Sequence, residues 1–132
     1  MCIRDRFYNE TPSAFQPYGE RPKLQWGDEA SKDLAQAFVK SISAGGGTRH
    51  MGALQLAIGL SPDVIFFLTD ADEPSLSAAD LARVRRANAG TAIHTVEFGF
   101  GRQKNANNFL VRLAGQNGGK HVYVDVSKLP GK

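Results

Sequence analysis

The chain has 132 residues, 42% of them hydrophobic and 22% charged, which is the make-up of one globular domain and too little for two. No apolar run approaches the roughly 18 residues that a membrane-crossing helix needs. A single cysteine, Cys2, excludes an internal disulfide and any multi-cysteine zinc site. The net charge of +3 is unevenly spread: residues 63–82 carry five acids and no base, whereas residues 83–132 carry nine bases and two acids. A mildly basic tail half usually means a solvated surface, so no nucleic-acid partner is expected.

In chain order, residues 1–27 read as an irregular leader. Met1 to Arg6 has neither helical nor strand period, Phe7-Tyr8 resembles the end of a strand, and Pro12, Pro17, Gly19 and Pro22 forbid long regular structure. From Asp28, Leu34, Phe38 and Ile42 recur at helical steps and predict an amphipathic helix over 28–42. Gly45-Gly46-Gly47 ends it. Thr48 then stands where an N-cap belongs, before a second helix marked by Met51, Leu54, Ala57 and Ile58 and closed by Pro62.

Val64-Ile65-Phe66-Phe67-Leu68 is continuously apolar, which predicts a strand covered on both faces at the centre of a parallel sheet. Ser77 and Asp80 have capping-box spacing and start a helix that Gly90 stops. Ile93 to Phe98 is a second strand, Asn105 to Gly115 a further helix, and the alternating Val122, Val124 and Val126 an edge strand. Strands alternating with helices predict right-handed crossovers on a parallel sheet, an α/β layered fold.

Ligands of such sheets bind beyond the carboxyl ends of the strands. Two loops qualify there: the glycine loop ending in Thr48-Arg49, and Thr69-Asp70-Ala71-Asp72-Glu73 after the apolar strand. A hydroxyl at a helix start and a carboxylate at a strand end are hard oxygen ligands suited to Mg2+. The plain alternatives are an N-cap hydroxyl for Thr48, a loop carboxylate bonding nearby backbone for Asp70, and solvated turn charges for Asp72 and Glu73. Nucleotide hydrolysis fits badly, because the glycine loop lacks the lysine that a P-loop places before its Ser/Thr. His50 is expected on a helix surface, His94 on or within a strand, and His121 at a strand start; none has a serine or cysteine at a telling offset.

Taken together, Gly45-Gly46-Gly47-Thr48, a helix, and Asp63-Val64-Ile65-Phe66-Phe67-Leu68-Thr69-Asp70 resemble the second half of a von Willebrand factor type A domain, a likeness that covers residues 28–128. It implies a three-layer Rossmann-like α/β fold with a mostly parallel sheet whose first strand is missing here. The first residues of the leader are then expected to be non-native, and 129–132 to be a tail. The family's metal-ion-dependent adhesion site draws Asp-x-Ser-x-Ser from the first strand, a threonine from the next loop and an aspartate from the end of the central strand. By resemblance Thr48 takes the threonine role and Asp70 the aspartate role. The ion, Mg2+ or another divalent cation, accepts a carboxylate from a partner protein.

Two departures matter: Ala71 stands where the family has glycine, and no Asp-x-Ser-x-Ser occurs in the chain. This chain is therefore expected to hold the cation weakly or not at all, and to be poorly stable with one strand edge unpaired. A metal-free interaction domain of the same fold is the first alternative. A second is a phosphotransferase-like enzyme using Asp70 and Asp72, whose spacing bears a distant similarity to haloacid-dehalogenase-like proteins. The expected role is binding rather than catalysis. Some bacterial relatives carry a membrane anchor ahead of the domain, so compartment stays open.

Overall fold

A computed structural model describes residues 2–3, 6–7, 13–16, 24–42, 48–70 and 74–130. Two compact units divide it, residues 1–60 and 61–132. The glycine run Gly45–Gly47, Tyr8, the three prolines of the leader, and the loop residues Ala71, Asp72 and Glu73 lie outside the described residues.

In the first unit, the leader expected to be irregular carries two short antiparallel ladders. Strand β1 (Cys2–Ile3) pairs with β4 (Gln25–Trp26), and β2 (Arg6–Phe7) with β3 (Ser13–Ala14). Strands of two residues are too short to leave a period in the sequence, which is why none was legible. Phe7 lies in β2, whose partner is β3. Helix α1 (Glu29–Ser41) starts where Asp28 accepts the Ser31 N–H at 2.8 Å, the bond that an N-cap provides. Its buried positions are Ser31 and Ala35, with Phe38 half-buried 5.7 Å from the Phe15 ring; Leu34, expected to face the core, is exposed. Helix α2 (His50–Ile58) buries Ala53, Leu54 and Ile58.

The second unit has the predicted alternation. Strands β5 (Val64–Thr69), β6 (Ala92–Gly99) and β7 (His121–Asp125) form a parallel sheet in the order β5-β6-β7. Helix α3 (Ala78–Ala87) connects the first two and α4 (Phe109–Gln116) the last two. The Ser77–Asp80 capping box is present in both directions, Ser77 Oγ taking the Asp80 N–H and Asp80 taking the Ser77 N–H. Helix α4 begins four residues later than its apolar pattern suggests. Asn105 Oδ1 takes the Asn107 N–H and holds that stretch in a turn, and Asn108 Oδ1 caps the helix through the Leu110 and Val111 N–H groups.

Register sets which side chains share a face. Ile65 lies opposite Ile93, Phe67 opposite Thr95 and Thr69 opposite Glu97, while Thr95 and Glu97 lie opposite His121 and Tyr123. Ile65, Phe67, Ile93 and Thr95 are buried on that face, and Leu110 and Leu113 of α4 are fully buried. Each such apolar side chain contributes about 1.5–3 kcal/mol on burial. The expectation that the apolar strand is central and covered on both faces is not met among the described residues. The central strand is β6, and Val64, Phe66 and Leu68 on the other face of β5 are 42%, 67% and 49% exposed. A continuous apolar run signals hydrophobicity on both faces but not what covers each.

A candidate site at the carboxyl end of the sheet

The polypeptide leaves β5 at Asp70, one residue past the position opposite Glu97. Asp70 is exposed, and Thr69 Oγ1 approaches its Oδ1 at 3.4 Å. It lines a cavity of about 560 Å3 whose other walls include Ser75, Glu97, Asn108, Arg112 and Tyr123. That volume is within the range of ligand pockets, and its place beyond the strand ends is where α/β sheets bind.

A polar network forms the floor. Glu97 shares the β6 face of Ile93 and Thr95, so its side chain is only 10% exposed. Asn108 Nδ2 donates to Glu97 Oε2 at 2.7 Å and Gln103 Nε2 donates to the same oxygen at 2.8 Å. His121 completes the group: its Nδ1 is 3.0 Å from Thr95 Oγ1, and its Nε2 lies 3.1 Å from Gln103 Nε2 and 3.2 Å from Glu97 Oε2.

Thr95 has a single hydroxyl proton, and Leu110 O, 3.1 Å away, can only accept it, so the proton between His121 Nδ1 and Thr95 Oγ1 is carried by the ring nitrogen.

The loop over this floor is tied down from β7. Asp125 Oδ1 accepts the Gly101 N–H at 3.0 Å and the Ser127 hydroxyl at 2.6 Å. The Ser127 hydroxyl bond, then the Gly101 backbone bond, hold the Asp125 carboxyl below the usual carboxylate range. Gly101 sits at φ +74°, a left-handed turn that glycine enters without strain. Burial raises the Tyr123 phenol, with the Asp125 and Glu97 charges adding to it, so Tyr123 stays protonated and keeps an O–H donor on the cavity wall.

Of the residues singled out from sequence, Asp70 stands at the cavity in the second unit and Thr48 is half-buried in the first. Thr48 is not the N-cap of α2: that position is Arg49, without a side-chain cap bond, because the helix starts one residue later than the hydroxyl requires. His50 is 2% exposed rather than on the helix surface, since as the first residue of α2 it lies on the face of Ala53 and Leu54. His94 sits half-exposed in β6, stacked on Phe66 with ring centroids 5.3 Å apart, and its Nδ1 accepts the Lys120 N–H.

Sequence reasoning missed Glu97, Gln103 and Asn108, and passed over His121. A signal existed: positions 93, 95 and 97 alternate onto one strand face, so an acid in phase with Ile93 announces a buried carboxylate. Asp70 and Thr48 offer the oxygen chemistry that Mg2+ prefers, but among the described residues no three His, Cys, Asp or Glu side chains gather into a cluster able to hold a metal.

Open parallel α/β sheets with crossover helices form a large class. Within it, a solved von Willebrand factor type A protein from Catenulispora acidiphila is similar to this chain over 93% of its residues, with a TM-score of 0.70 and 21% identity. The chain spans 29% of the length of that protein. No protein-family model and no curated protein matches the sequence. The chain has the von Willebrand factor type A fold. Among its described residues no helix is long and apolar enough to cross a membrane.

Proposed function

We propose that the chain acts as a protein-binding module of the von Willebrand factor type A kind, and not as an enzyme. Thr48 and Asp70 are its contributions to a divalent-cation site, and a carboxylate of the partner protein completes that site. The observation that carries this reading is the position of Asp70, exposed at the carboxyl end of β5 on the rim of the cavity, in a chain of this fold. A threonine hydroxyl and an aspartate are hard donors, and a bound Mg2+ would supply a positive centre for an incoming carboxylate. Two such donors are few, so the affinity of this chain alone for Mg2+ is expected to be millimolar or weaker.

The alternative is a metal-free interaction domain of the same fold. A Mg2+ titration followed by NMR separates the two. Under the metal-dependent reading, Thr48 and Asp70 resonances shift on one common curve, and Asp70→Ala abolishes the response at Thr48. Independent responses, or none at tens of millimolar Mg2+, favour the metal-free domain. Hydrolysis of a phosphoester that disappears in Asp72→Asn would overturn both in favour of the phosphotransferase-like alternative.

A further inference from the structure

Glu97 uses only half of its carboxylate. Asn108 Nδ2, Gln103 Nε2 and His121 Nε2 all approach Oε2, whereas Oε1 accepts no hydrogen bond from a described residue. Oε1 is also not among the buried, unsatisfied side-chain atoms, so it keeps contact with solvent, and Glu97 lines the cavity. A carboxylate has about four lone-pair sites, and a buried one is costly to leave without a charged partner. No Lys or Arg among the described residues pairs with it.

The opposite charges stand at the mouth. Lys104 and Arg112 line the same cavity, both are exposed, and neither side chain forms an ion pair or hydrogen bond with a described residue. Asp70 and Glu97 balance them, so the charged lining is neutral but separated by depth, with Glu97 buried and the two bases outside. That pattern disfavours a simple anion, which would face Asp70 and Glu97 inside. It suits a ligand with an N–H-bearing cation at one end and a carboxylate at the other. Phe109 and the Tyr123 ring add aromatic walls that attract a cation.

We propose that this cavity binds a zwitterion of amino-acid type, its ammonium or guanidinium donating to Glu97 Oε1 and its carboxylate held by Lys104 and Arg112. No metal is needed, so although Asp70 lines the same cavity the proposal is tested in EDTA, independently of the Mg2+ reading.

The probe is free L-arginine, titrated into the full chain in EDTA and followed by NMR. Saturable binding is expected, with shifts at Glu97, Asn108 and Tyr123. Glu97→Gln removes a charged acceptor and is expected to weaken binding by about tenfold or more. Because Glu97→Gln also touches the network below, a second variant keeps the outcome readable. Lys104→Ala/Arg112→Ala alters exposed side chains only and should erase the preference for arginine over agmatine, which lacks the carboxylate. Absence of saturable arginine binding, binding unchanged in Glu97→Gln, or agmatine binding as well as arginine to the unmodified chain would overturn the proposal. None of these outcomes bears on the Mg2+ response of Thr48 and Asp70, so the two readings fail separately.

Discussion

The two ends of the three-stranded sheet solve the same problem, polar groups beside a core, in opposite ways. At the amino end the side chains of Asn88, Thr91 and Asn117 are closed on one another and on backbone carbonyls. Asn88 Nδ2 bonds both Thr91 O and Asn117 Oδ1, Thr91 Oγ1 bonds Pro62 O at 2.6 Å, and Asn117 Nδ2 bonds Leu113 O. Gly119 lets β7 start against the backbone of β6, where a Cβ would collide with the Ile93 carbonyl. At the carboxyl end, the Glu97 network is closed underneath but leaves one carboxylate oxygen and two bases turned outward to a cavity. Saturated polar clusters fix a fold, and partly saturated ones over a cavity offer binding. The amino end should therefore govern stability and the carboxyl end ligand response.

The strongest way to break this division is at Gly119. Gly119→Val sets a side chain against backbone that cannot step aside, and is expected to cost about 3 kcal/mol or more. Urea or thermal unfolding reads it; a loss within error of zero would show that the amino end yields freely. Asn117→Ala comes next. It removes the acceptor of Asn88 and the donor to Leu113 O at a site only 7% exposed, for an expected loss of about 1–3 kcal/mol. On the opposite end, Asn108→Ala deletes the α4 cap and one donor to Glu97, with an expected loss of about 1 kcal/mol. Its mark should be on the loop instead, seen as faster amide exchange at Gly101 and Leu110.

How far the sequence foretold this follows the same line. Elements with local causes were legible: the Ser77–Asp80 box, the Gly90 stop after α3, the apolar β5. The place of Asp70 at a strand end followed from strand-loop-helix order alone. What was not legible depended on register and on distant partners. Nothing local states that Thr69 pairs with Glu97, or that Gln103 and Asn108, on either side of a turn, converge on one oxygen. Helical period gives Leu34 a place on an apolar stripe but not what that stripe packs on; the buried positions are Ser31 and Ala35. Side chains whose role is set by neighbours twenty or more positions away, such as His121 against Thr95, need the sheet before they can be read.

The smallest expected effect is also the one that sharpens the comparison most, because it concerns charge. The amino-end cluster consists of amides, a hydroxyl and backbone, which do not titrate. The carboxyl end holds Asp80, lowered by its Ser77 side-chain and backbone bonds, and Asp125, lowered by Ser127 and Gly101. A carboxylate held low in the folded state contributes stability that is complete above its unfolded value and disappears as pH falls through the folded one. The urea midpoint should thus decline as the medium is acidified below about pH 4. Asp125→Asn should flatten that decline, since the amide still accepts from Gly101 and Ser127 but no longer ionises. Asn117→Ala should lower the whole curve without changing its shape. If instead Asn117→Ala altered the acid slope and Asp125→Asn left it intact, the coupling between protonation and stability would lie at the amino end, and the division between a sealed end and a responsive one would fall.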